Sequence, residues 1–107
     1  MDIADWRKKI DELDRQLVEL LNQRAQAVHE IGKLKRTSSL PIYEPDRERL
    51  VFENIRSANR GPLGERELSR IYERLIDIMR DIQRAEIAPQ GLANGSHDTE
   101  LESEVND

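Results

Sequence analysis

The sequence predicts an all-α chain of three helices, and three observations carry that prediction. Apolar residues recur at alternating steps of three and four through Ile3, Trp6, Ile10, Leu13, Leu17 and Leu20, the seam of a helix packed along another helix. Breaker-rich stretches at TSSLP and NRGPLG cut the remainder into helix-length pieces. No strand pattern and no internal repeat is present.

Helix one runs from about Ile3 to about Arg36, with no proline and only Gly32 as a glycine. Such a helix of roughly 34 residues is about 50 Å long. A compact chain of this size has a radius of gyration of about 13 Å, so the helix would protrude and its stripe needs a partner chain. Obligate oligomerisation follows, most simply as a two-fold dimer. The segment TSSLPIYE reads as a loop, because Ser and Thr compete with the helical backbone and Pro41 disfavours helix before it. Helix two opens at EPDRE: Pro45 suits a first helical position, and Glu44, Asp46 and Glu48 complement the positive helix start. It continues through RLVFENIRSA. Helix three spans about Glu65 to Ile87, with Leu68, Ile71, Tyr72, Leu75, Ile78, Met79 and Ile82 at helical spacing. The chain therefore divides into a helical domain, 1–88, and an acidic tail, 89–107, expected to be disordered because it holds few large apolar groups.

Composition narrows the function. The 107 residues carry a net charge of -5, but Asp98, Glu100, Glu102, Glu104 and Asp107 belong to the tail, which has no Lys or Arg. Removing those five leaves 17 acids against 17 bases, so no broad basic field exists for nucleic acid or an anionic membrane. No apolar run approaches the length of a membrane span, no apolar signal segment opens the chain, and no cysteine provides a disulfide framework. A soluble cytoplasmic protein is expected. Any anion it binds must be held by a few concentrated cations.

Those cations stand where the apolar rhythm is broken. Ala27, Ile31 and Leu34 continue the stripe of helix one, but position 24 is Arg24 and Lys35 adjoins the last beat. Arg24, Val28, Ile31 and Lys35 share one face, with Arg24 and Lys35 about 16 Å apart along the axis. Snorkelling of one such side chain would be ordinary. The pattern recurs, however. Glu48 shares the most apolar face of helix two with Val51, Phe52 and Ile55, with Arg47 beside it, and Gln83 closes the stripe of Tyr72, Ile76 and Met79. Buried polar groups cost several kcal/mol unless paired. A network of Arg24, Arg47, Lys35 and Glu48 would keep an excess of cations, which a small, multiply negative ligand explains better than an internal ion-pair cluster. Arg7 lies about 25 Å along the helix from Arg24, so both can serve one small ligand only across a dimer. His29 and His97 lack metal-binding partners at usable spacing, and His29 reads as a solvated helix residue. Ser38 and Ser39 read as loop residues without a base. Neither metal nor covalent catalysis nor a cofactor is indicated.

Together WRKKIDELDRQLVELLNQR, EIGKLK, PDRER and Gln83 resemble the all-helical chorismate mutases over about residues 3 to 87. The resemblance implies an intertwined homodimer whose long first helices cross between subunits, and conversion of chorismate to prephenate. It also implies that Arg24, Arg47 and Arg7 of the partner subunit hold the two substrate carboxylates, that Lys35 and Gln83 bond the ether oxygen, and that Glu48 takes the ring hydroxyl. Two positions depart from the family pattern. Met79 stands where many relatives carry Ser, removing a carboxylate hydrogen bond. Glu44 stands where Asp is frequent, and its extra methylene alters any contact with the ring hydroxyl.

The chemistry is consistent with that set. An intramolecular [3,3] rearrangement needs no nucleophile, the planar fork of arginine suits carboxylates, and donors at the ether oxygen meet the charge that builds as its bond lengthens. Two other functions use the same scaffold: isochorismate–pyruvate lyase, and a non-catalytic module that senses chorismate or prephenate. Such modules accompany other aromatic-pathway enzymes as fused or docked domains; the chain has no room for a second catalytic domain, and docking stays open.

Overall fold

A computed structural model describes residues 1–87, which form three α-helices: α1 (Ile3–Ser38), α2 (Pro45–Ala58) and α3 (Glu65–Ile87). No strand occurs among the described residues. The expected acidic tail lies outside them.

α1 begins in a capping box: the Asp5 amide donates to the Asp2 carboxylate at 2.9 Å, and the Asp2 amide donates to the Asp5 carboxylate at 3.1 Å. Its end differs from the expected one. Thr37 and Ser38, expected in a loop, are helical because both hydroxyls donate back to the Leu34 carbonyl, at 3.1 and 2.8 Å. The turn falls to Ser39, which takes the left-handed conformation. α2 starts at Pro45 as expected, and α2 and α3 are separated by a turn in which Gly61 has φ +69°.

The long helix is unbroken, so the chain is elongated: its extents are 52 × 33 × 21 Å and its radius of gyration is 16.8 Å. α3 lies against the C-terminal part of α1, and α2 leans on α3. The small core consists of Val28, Ile76 and Met79. Here the structure corrects the face assigned to α1. Ile31 and Leu34, on the continuing stripe, are exposed, whereas Val28, Gly32 and Lys35, one position further round, are buried against α3. Gly32 is the reason. A Cβ there would lie 3.1 Å from the Glu86 Cβ and 3.6 Å from the Gln83 Cα, so its missing side chain lets the two helices approach closely. The stripe itself stays uncovered through its N-terminal part, with Trp6 56% and Leu17 53% exposed.

Candidate active site

A cavity of about 300 Å³ opens where the three helices meet. Its apolar wall comes from Val28 and Ile31 of α1, Val51 of α2, and Ile76 and Met79 of α3. Six polar side chains project among them: Arg24, Glu44, Arg47, Glu48, Arg80 and Gln83. Each helix delivers its polar group from an otherwise apolar face, so folding the stripes together also gathers the charges.

Lys35 stands directly behind this wall. It is the one buried charged residue among the described residues, 5% exposed, and its ammonium is satisfied three times. It donates to the Glu44 carboxylate at 3.1 Å, the Gln83 Oε1 at 3.0 Å and the Ile42 carbonyl at 3.4 Å. The bond to Gln83 fixes the amide: Oε1 is held by the ammonium, and the NH₂ is the end left to donate. Glu44, at the N-cap of α2, makes no side-chain capping bond because its carboxylate is turned to Lys35.

Glu48 has a partner that the sequence reading did not name. Its carboxylate accepts from the Arg80 guanidinium at 2.6 Å, from α3 to α2. This hydrogen bond, outweighing the opposing effect of burial, pushes the Arg80 pKa above its ordinary value and holds it charged. The internal ion-pair network weighed as the alternative for Arg24, Arg47, Lys35 and Glu48 does not form: Lys35 pairs with Glu44 and Glu48 with Arg80. Among the described residues no carboxylate pairs with Arg24 or Arg47, which both face the same cavity. A signal for Arg80 was available, because it follows Ile76 by four residues and precedes Gln83 by three, on the face that identified Gln83.

Arg24 and Arg47 are the cavity cations that no carboxylate pairs among the described residues, and they leave it locally positive. Apolar walls strengthen their pull on an anion. Arg7 is exposed on α1 and does not line the cavity. Nor is His29 simply solvated: its Nδ1 lies 3.3 Å from the Glu86 carboxylate, beside Gly32.

Comparison with known proteins identifies the family. The family described as chorismate mutase type II matches residues 6–84. The chain is 36% identical over 89 residues to a bifunctional chorismate mutase/prephenate dehydratase of Neisseria gonorrhoeae, covering 79% of this chain and 24% of that protein. It is 33% identical over 87 residues to the protein of the same description from Aquifex aeolicus, covering 78% of this chain and 24% of that one. A chorismate mutase of Methanocaldococcus jannaschii is 33% identical over 54 residues, covering 50% of this chain and 54% of that protein. The chain thus spans about a quarter of the length of the bifunctional relatives. With a three-helix fold, a cationic cavity and a match through nearly all of the described residues, the chain belongs to the type II chorismate mutase family.

Proposed function

We propose that this chain is a chorismate mutase that converts chorismate to prephenate. The observation that carries this reading is the pairing pattern of the cavity. Arg24 and Arg47 are left open to an anion, while Lys35 turns the Gln83 amide so that it presents its NH₂.

In this reading Arg24 and Arg47 take the substrate carboxylates through parallel N–H···O bonds. The clamp holds the enolpyruvyl arm over the ring, a reactive conformer scarce in water. The ether C–O bond breaks as the new C–C bond forms within the same molecule, and no proton is transferred. Negative charge builds on the ether oxygen during that motion, where Lys35 and Gln83 donate to it. For Lys35 to do so, one of its three acceptors must give way. Glu44 is the candidate, because its side chain is 42% exposed and it sits at the start of a helix rather than within one. The released carboxylate is then near the ring hydroxyl, for which Glu48 is the main acceptor. Met79 contributes apolar wall only.

The working unit is a homodimer. The N-terminal part of α1 exposes an apolar stripe that the described residues of its own chain leave uncovered, and a partner's α1 is the matching surface. An intertwined arrangement brings Arg7 of one subunit to the carboxylate clamp of the other. We place the enzyme in the cytoplasm; among the described residues no helix is long and apolar enough to cross a membrane. The fusion to a dehydratase named in its relatives makes docking to a prephenate-consuming enzyme a natural association. Glu48 at the cavity, available to a ring hydroxyl, favours the mutase over isochorismate–pyruvate lyase.

The test is to follow chorismate absorbance with the purified chain and identify the product, with isochorismate in parallel. Prephenate from chorismate and no pyruvate from isochorismate are expected. Pyruvate release would favour the lyase, and binding of chorismate without turnover would favour the sensing module.

A further inference from the structure

Arg80 is tied down from three sides. Its guanidinium donates to Glu48 at 2.6 Å and to Asp77 at 3.3 Å, and lies 5.3 Å from the centroid of the Tyr43 ring. Its Nε is nevertheless buried with no hydrogen-bond partner among the described residues. An unsatisfied buried donor is a net cost to stability. A side chain kept only to join α2 to α3 would do so better without one.

The charge arrangement supplies the reason. Glu48 lies in one cavity with Arg24 and Arg47, the two cations left open to an anion. A carboxylate among arginines is drawn to them, and would occupy the groups that must receive the substrate. α2 buries none of its residues, so its own packing does little to fix where Glu48 points. Among the described residues Glu48 is partnered by Arg80, which draws it toward α3.

We propose that Arg80 is a positioning residue that holds the Glu48 carboxylate away from Arg24 and Arg47, keeping the carboxylate clamp open and Glu48 aimed at the ring hydroxyl. The proposal rests on the chorismate mutase reading for its substrate. The positioning itself can be measured without turnover.

The experiment compares wild type, Arg80→Met, Arg80→Lys, Glu48→Gln and the double variant Arg80→Met/Glu48→Gln. Steady-state kinetics with chorismate are combined with three-bond couplings of the isotope-labelled residue 48 side chain. Loss of Arg80 is expected to raise KM by about ten- to a hundredfold, the range for a lost hydrogen bond to a charged group. Removing the charge at position 48 should then restore part of the KM lost in Arg80→Met, and Arg80→Lys should fall between that variant and wild type. The couplings should report one Glu48 rotamer in wild type and averaging in Arg80→Met. Equal KM losses with and without the charge at position 48, or an unchanged rotamer in Arg80→Met, would overturn the proposal. Should Arg80→Met not fold, the same cycle with Arg80→Lys reads the same coupling. A wild type that leaves chorismate intact would sink the mutase reading alone, because the rotamer measurement still decides the role of Arg80.

Discussion

The two ends of α1 invert the usual partition of residues between water and interior. From Ile3 to Leu20 the helix leaves its apolar stripe exposed, with Trp6 56% and Leu17 53% accessible. From Val28 to Lys35 it buries a lysine at 5% exposure and satisfies it with three acceptors. Neither is a stable choice for an isolated chain: the first forgoes about 25 cal/mol for each Å² of apolar surface left in water, and the second takes an ammonium out of it. In the proposed reading the helix makes two different requests, a second chain along its exposed stripe and a small anion at Arg24, which no carboxylate pairs among the described residues. Its length lets both be met at once.

The largest effect should come from the apolar end. Replacing Leu13 and Leu17 together by Glu places two charges on the stripe, and is expected to abolish dimerisation and with it activity. Sedimentation and turnover would check it, and an unchanged dimer would remove the stripe from the interface. At the polar end, Lys35→Ala removes the proposed donor to the ether oxygen and leaves Glu44 and Gln83 without their common partner. A loss of at least about 3 kcal/mol of barrier stabilisation, on the order of a hundredfold or more in kcat, is expected by comparison with lost oxyanion donors. Turnover near wild type would reject the role of Lys35. The smallest effect belongs to the buried end as well. Gly32→Val must push Glu86 and Gln83 away, and is expected to destabilise the chain by about 1–3 kcal/mol, seen as a lowered Tm. A variant as stable as wild type would show that α3 can retreat freely.

Much of this contrast is visible in the sequence because it depends on period. The alternation from Ile3 to Leu20 identifies the long helix, and the charges at Arg24, Lys35, Glu48 and Gln83 are conspicuous because they interrupt stripes. What period cannot supply is which of two adjacent faces meets the neighbouring helix. The choice of Val28, Gly32 and Lys35 over Ala27, Ile31 and Leu34 depends on the absent side chain of Gly32, a contact made only in three dimensions. Arg80 escaped for a related reason. It stands next to Met79 without replacing an apolar beat, and its importance arises from a carboxylate 32 residues away on another helix. Thr37 and Ser38 show a third gap: their composition suits a loop, yet hydrogen bonds to the Leu34 carbonyl carry them into the helix.

The claim joining both ends of α1 is that one site takes arginines from two chains. Mixing inactive Arg7→Ala chains with inactive Arg24→Ala chains tests it most directly, because symmetry gives each heterodimer one site with both arginines intact. With random exchange of subunits, recovery to about a quarter of wild-type activity is expected, since half the dimers are mixed and each has one whole site. No recovery, with heterodimers demonstrated by native mass spectrometry, would contradict the shared site.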